Sequence, residues 1–121
     1  MKALTVYTLA NCDTCRRAVK WLRAQGLAFV ERPIRETPPS LAELQAMLAA
    51  QAGRRGRLFN TAGRDYREQN LGEKLPGLSD REALGLLAAN GNLVKRPFLI
   101  GAGVALAGFD ETAWAEACLK K

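Results

Sequence analysis

Asn11-Cys12-Asp13-Thr14-Cys15-Arg16-Arg17-Ala18 is the stretch on which the reading of this chain turns. Ahead of it, Ala3-Leu4-Thr5-Val6-Tyr7-Thr8-Leu9 is short, apolar and partly β-branched, which predicts a strand over residues 3–9. Asn11 to Cys15 then reads as a turn, and Arg16 to Gln25 as a helix. That helix carries Ala18, Val19 and Leu22 at helical spacing with Trp21 beside them. Gly26 stands where a helix stops, and Ala28 to Arg32 predicts a second strand closed by Pro33. The two cysteines therefore sit between strand and helix in a strand–helix–strand unit of about 30 residues.

Their spacing has a chemical meaning. Three residues are nearly one helical turn, so the two sulfurs come within bonding reach. Cys12 falls at the helix N-terminus, where unpaired backbone N–H groups and the positive end of the dipole favour a nucleophilic thiolate. Cys15, one turn inside, is more protected and suits a resolving role. A Cys-x-x-Cys pair in this context is the thioredoxin-like redox signature. Asp13 favours the helix end but opposes a neighbouring thiolate, with Arg16, Arg17 and Arg96 available to offset it. No second pair exists and histidine is absent, so a four-ligand zinc site lacks ligands and no metal is expected. Cys118, alone on an apolar helix, reads as a small buried hydrophobe.

The middle of the chain is organised differently. Pro38-Pro39-Ser40 breaks it, and Ser40 with Glu43 forms a capping box ahead of Leu41, Leu44, Met47 and Leu48. Gly53 is set to end that helix. Residues 54–77 are polar and rich in Gly and Arg, with a short helix expected around Tyr66. Ser79 with Glu82 forms a second capping box, and that helix runs to Asn90-Gly91. Residues of about 38–90 thus read as a helical insert. Pro97-Phe98-Leu99-Ile100 and Val104-Ala105-Leu106-Ala107 flank Gly101-Ala102-Gly103 as a hairpin. Asp110 is a candidate N-cap for a last helix over 111–119. The fold class is α/β, in the order β-α-β, helical insert, β-β-α.

Length and composition agree. The chain has 121 residues, 48% hydrophobic and 25% charged, which fits one globular domain over residues 1–121. No apolar run approaches a membrane span and no leader pattern precedes the first strand, so reduced thiols and a cytoplasmic location are expected. The absence of histidine excludes imidazole bases and Ser-His-Asp triads. The net charge of +6 admits an acidic partner or an anionic substrate. No aromatic pattern accompanies the basic residues, so direct DNA or RNA binding is not expected.

Lys95-Arg96-Pro97 is the second informative piece. A proline opening a late strand beside a Cys-x-x-Cys is a candidate cis-proline. Arg96, permanently charged, is placed to hold an oxyanion or the thiolate.

Cys12-Asp13-Thr14-Cys15-Arg16-Arg17-Ala18, Leu58-Phe59-Asn60-Thr61, Lys95-Arg96-Pro97 and Leu106-Ala107-Gly108-Phe109 together resemble the arsenate reductase ArsC/Spx/YffB family, over essentially the whole chain. The resemblance implies a thioredoxin-like fold with a helical insertion. It also implies a nucleophile at Cys12 and an anion-binding arginine at Arg96. Asn60 and Gly108 stand where the family's arsenate reductases carry two further arginines, with Arg57 or Arg64 as candidate substitutes. Asn60-Thr61 and Gly108-Phe109 are similar to the YffB branch, and Cys15 to Spx. The implied activity is a thiol oxidoreductase linked to glutathione or glutaredoxin, with glutathione as co-substrate and no bound cofactor. Cys12, Cys15 and Arg96 would be catalytic, and Asn11, Arg16, Arg64 and Pro97 would bind substrate. The alternative is an Spx-like redox switch that binds the RNA polymerase α subunit, with Gly53 or Gly56 near the family's polymerase-contacting glycine. A third is a thioredoxin-like domain without turnover. A monomer without membrane contact is expected.

Overall fold

A computed structural model describes residues 4–119. Four strands form one mixed sheet: β1 (Leu4–Thr8), β2 (Phe29–Pro33), β3 (Phe98–Gly101) and β4 (Val104–Ala107), in the order β2-β1-β3-β4. β1 runs parallel to β2 and antiparallel to β3, and β3 and β4 form a hairpin. Among the described residues six α-helices surround them: α1 (Asp13–Ala24), α2 (Leu41–Ala50), α3 (Arg64–Glu68), α4 (Leu71–Lys74), α5 (Asp80–Ala89) and α6 (Glu111–Leu119). This is the thioredoxin-like α/β arrangement with a helical insert between β2 and β3.

Alternation along the strands divides the core in two. Leu4, Val6 and Leu99 pack with Ala18, Val19 and Leu22 of α1 and Trp114 of α6. Tyr7, Phe98 and Ile100 face the other way, into Leu44 and Met47 of α2 and Leu84 and Leu87 of α5. The insert is thus a second layer on the sheet. Tyr7 ties it down by donating its hydroxyl to Glu43 Oε1 at 2.7 Å, and burial with that carboxylate beside it pushes the phenol pKa up. Arg55 pins the insert to itself, donating to the carbonyls of Leu75 and Leu78 and reaching Asp80 at 3.4 Å.

Both capping boxes form, Ser40 with Glu43 and Ser79 with Glu82. Asp110 caps α6 through Thr112 N–H at 3.1 Å. Gly26, at φ +69°, closes α1 with the two carbonyl-satisfying bonds of a Schellman motif. Several boundaries differ from expectation by a residue, and four differences have a physical reason. α1 begins at Asp13 rather than Arg16, because the Cys12 sulfur serves as its cap. β2 continues through Pro33, which an edge strand tolerates because its outer side has no ladder to complete. The first left-handed residue after α2 is Ala52, at φ +58°, ahead of Gly53. β3 begins at Phe98, one residue after the proline. Ala3, expected in the first strand, lies outside the described residues.

Candidate active site

Cys12 has extended backbone (φ −108°, ψ 112°), and its N–H donates to the Leu9 carbonyl at 3.2 Å. The turn after β1 therefore delivers this residue, half-exposed, onto the axis of α1. Its Sγ accepts the Cys15 N–H at 3.3 Å, one of the orphan donors of the first turn. Cys15 lies one turn inside and is only 2% exposed. Its thiol is pushed up to about 12, first by burial and then by hydrogen bonding to Cys12, while the charge of Arg96 pulls the other way. The two sulfurs are free thiols with different surroundings: one presented, one withheld.

Arg96 comes from the other end of the chain, just ahead of β3, and the Arg96–Pro97 bond is cis. Two contacts fix its guanidinium. Nη1 reaches the Asn92 carbonyl at 3.4 Å. In the amide orientation that satisfies both side chains, Asn60 Oδ1 accepts from Nη1 at 3.1 Å and Nη2 at 3.3 Å. Asn60 is itself placed by a backbone bond to the Leu93 carbonyl, beside the Phe59–Val94 bridge that joins the insert to the segment leading into β3. The sheet order sets β3 beside β1, bringing the Arg96 loop to the end of β1 that carries Cys12.

Arg96 walls two hollows. One, of about 540 Å³, gathers Thr14, Arg17, Gln51, Arg57, Lys95 and Arg96. At its edge Gly108 is left-handed (φ +78°), and a Cβ built there would meet Lys95 Cε at 2.8 Å. The other, of about 300 Å³, has Arg35, Asn60, Arg64, Asp65 and Asn92 with Arg96. Asp65 accepts from the Asn90 and Asn92 amides, which hold its carboxyl below the usual range. A third groove, of about 440 Å³, runs along the opposite flank of α1 over Leu9, Cys15 and Val19.

The expected site residues thus divide. Cys12 and Cys15 meet at the start of α1 and the charge of Arg96 reaches Cys15, while Pro97 is buried and joined to Arg96 by the cis bond. Arg64 joins Arg96 at the smaller hollow. Arg16 does not join them: its guanidinium is taken by Asp13 and the Ala10 carbonyl, and it lines the groove on the far flank of α1. Asn11 is exposed in the turn and makes no side-chain hydrogen bond among the described residues. Thr14, Gln51 and Lys95 were not anticipated as lining residues. The adjacency of Lys95 to Arg96 was the one available signal, since the others depend on how the insert folds back. No cluster of three or more metal-ligating side chains occurs among the described residues, and none of their helices is long and apolar enough to cross a membrane.

Comparison with known proteins follows the same lines. The model of the ArsC family matches residues 7–117. The chain is 42% identical over 114 residues to an uncharacterized Bacillus subtilis protein, YusI, covering 94% of this chain and 97% of that one. It is 31% identical over 108 residues to the global transcriptional regulator Spx of Enterococcus faecalis, covering 89% and 80%. A crystal structure described as ArsC family related, from Bacteroides fragilis, superposes with a TM-score of 0.87 at 33% identity, covering 94% and 96%.

Proposed function

The chain belongs to the ArsC family, and on that premise we propose that it is a thiol–disulfide oxidoreductase working through Cys12, with glutathione as the electron donor. The observation that carries this reading is the half-exposed Cys12 sulfur at the α1 N-cap, accepting a backbone N–H. That setting supplies charge stabilisation and access together, the two requirements of an attacking thiolate. The Cys12 thiolate attacks a mixed disulfide between glutathione and a substrate thiol. A bond forms from Cys12 Sγ to the glutathione sulfur, and the substrate leaves as a thiolate that takes up a proton. A second glutathione then attacks the Cys12 adduct, giving oxidised glutathione and restoring Cys12. The sum is one disulfide reduced by two thiol electrons.

Arg96 supports this chemistry by placing a fixed positive charge beside the dithiol. The hollow with Arg17, Arg57 and Lys95 offers cations for the two carboxylates of glutathione. Asn60 and Gly108, standing where the family's arsenate reductases carry arginines, weigh against arsenate as the main substrate. The buried Cys15 favours resolution by an external thiol. The test is NADPH consumption through glutathione reductase, with a glutathione mixed disulfide or arsenate as substrate and Cys12→Ser as control. Turnover that requires Cys12 is the expected result. Turnover that persists in Cys12→Ser, or its absence with every substrate, would end this reading.

The Spx relative favours one alternative, a transcriptional regulator in which oxidation of Cys12 and Cys15 toggles binding to the RNA polymerase α subunit. Oxidation-dependent co-purification with polymerase, without thiol turnover, would select it.

A further inference from the structure

The groove on the far flank of α1 plays no part in the mechanism above. Its floor is apolar, formed by Leu9, Val19 and the buried Cys15. Along one rim Arg16, Lys20 and Arg23 follow at spacings of four and three, hence on one helix face. Glu31 of β2 forms the other rim and accepts the Thr8 hydroxyl at 2.6 Å. β2 is an edge strand, with Glu31, Arg32 and Pro33 exposed and Val30 47% exposed. Asp13 partners Arg16, but among the described residues Lys20 and Arg23 have no carboxylate partner. Arg23 is held instead over the Phe29 ring, 5.9 Å from its centroid.

We propose that this groove docks a short, acidic, extended segment of a protein substrate, flanking the cysteine that Cys12 attacks. Three features together support it. With Arg16 paired to Asp13, Lys20 and Arg23 still outnumber the Glu31 carboxylate, so the rim is complementary to acidic side chains. The apolar floor takes the segment's alternate residues. Arg16 to Arg23 spans about 10 Å of helix, the length of about three extended residues. The groove is lined at one end by Ala10 and Cys15, two and three residues from Cys12, so a chain joined to Cys12 has an entry to it there. The proposal rests on the thiol reading only in taking a protein as the substrate; the groove itself does not use the thiol.

The test is binding without chemistry. Fluorescein-labelled octapeptides with serine in place of the attacked cysteine carry glutamates, neutral residues or lysines on one flank. Fluorescence anisotropy with the reduced full chain at low salt is expected to show the glutamate peptide binding at least tenfold more tightly than the neutral one, with the preference fading as salt rises. Lys20→Glu together with Arg23→Glu is expected to reverse the order in favour of the lysine peptide. Lys20→Glu alone, which leaves the Arg23–Phe29 contact intact, is expected to abolish the preference. An order unaffected by charge reversal, or a preference lost instead in Arg17→Glu with Arg57→Glu, would overturn the proposal. Because no thiol reacts, failure here is distinct from failure of turnover at Cys12.

Discussion

Cys15 should be among the least reactive thiols this chain can present, and the structure gives the size of the effect. Its thiol is pushed up to about 12 by burial and by its bond to Cys12. At pH 7 a thiol of that pKa is ionised to about one part in 100,000, against about 3% for an ordinary thiol near 8.5. Greater basicity makes the remaining thiolate more nucleophilic, recovering about 40-fold. The net expectation is alkylation about 80-fold slower than an exposed thiol, before any steric hindrance. Pulsed iodoacetamide labelling of folded Cys12→Ser, read by peptide mass spectrometry, isolates Cys15 and compares it with the same peptide in urea. The substitution removes the Cys12 contribution and leaves burial, the larger cause, so the factor of about 80 is the upper end of what this variant should show. The labelling rate should rise about tenfold per pH unit from pH 7 through 9.5 without a plateau, since the folded thiol loses its proton only above that window. A rate within tenfold of the unfolded chain, or a plateau below pH 9, would refute the withheld thiol and return intramolecular resolution to the mechanism.

Cys15→Ser should keep turnover with glutathione within about threefold, since an external thiol resolves the adduct; accumulation of a trapped mixed disulfide on Cys12 would count against this. Arg96→Ala should slow turnover by about tenfold, the size of one lost charge-assisted interaction with a bound anionic substrate, while Arg96→Lys restores part of it. Unchanged rates would remove Arg96 from the site. Gly91→Ala should lower stability in urea by about 3 kcal/mol or more, because its Cβ would fall 1.8 Å from the Ile34 carbonyl oxygen. An unchanged urea midpoint would contradict that backbone approach.

What the sequence made legible was local. Ser40 with Glu43, Ser79 with Glu82, and Asp110 announce helix starts through side chains that bond their own backbone, so neighbouring residues suffice to read them. The spacing to Cys15 puts Cys12 at the N-cap of α1, as the structure has it, whereas the first turn from Asp13 to Cys15 reads as a turn ahead of Arg16. The pairing of Cys12 with Arg96 was readable only through motif and resemblance, since 84 positions separate them and the sheet order joins them. Arg16 shows the limit most clearly. It adjoins Cys15 in sequence and lines the same groove, yet Asp13 and the Ala10 carbonyl hold its guanidinium there, on the flank of α1 away from the hollows that Arg96 walls. Arg57 and Lys95 meet because the insert folds back on the segment before β3, and no local pattern encodes that meeting.

The two positions where the resemblance implies arginines, Asn60 and Gly108, are each filled in a way the structure explains. An amide at Asn60 accepts from Arg96 where a second guanidinium would repel it, so the position fixes the remaining arginine instead of adding a charge. At Gly108 the backbone is left-handed, a conformation that disfavours any L side chain, and the Lys95 stem fills the adjoining space. Lys95 and Arg57, with Arg17 and Arg96, make the hollow cationic. A lysine is a mobile point charge, whereas an arginine is a rigid fork matched to oxyanions. Exchanging forks for a point charge weakens the recognition of a small tetrahedral anion and retains attraction for carboxylates on a flexible peptide. On the function proposed above, the same exchange would favour glutathione over arsenate as the anion this site takes.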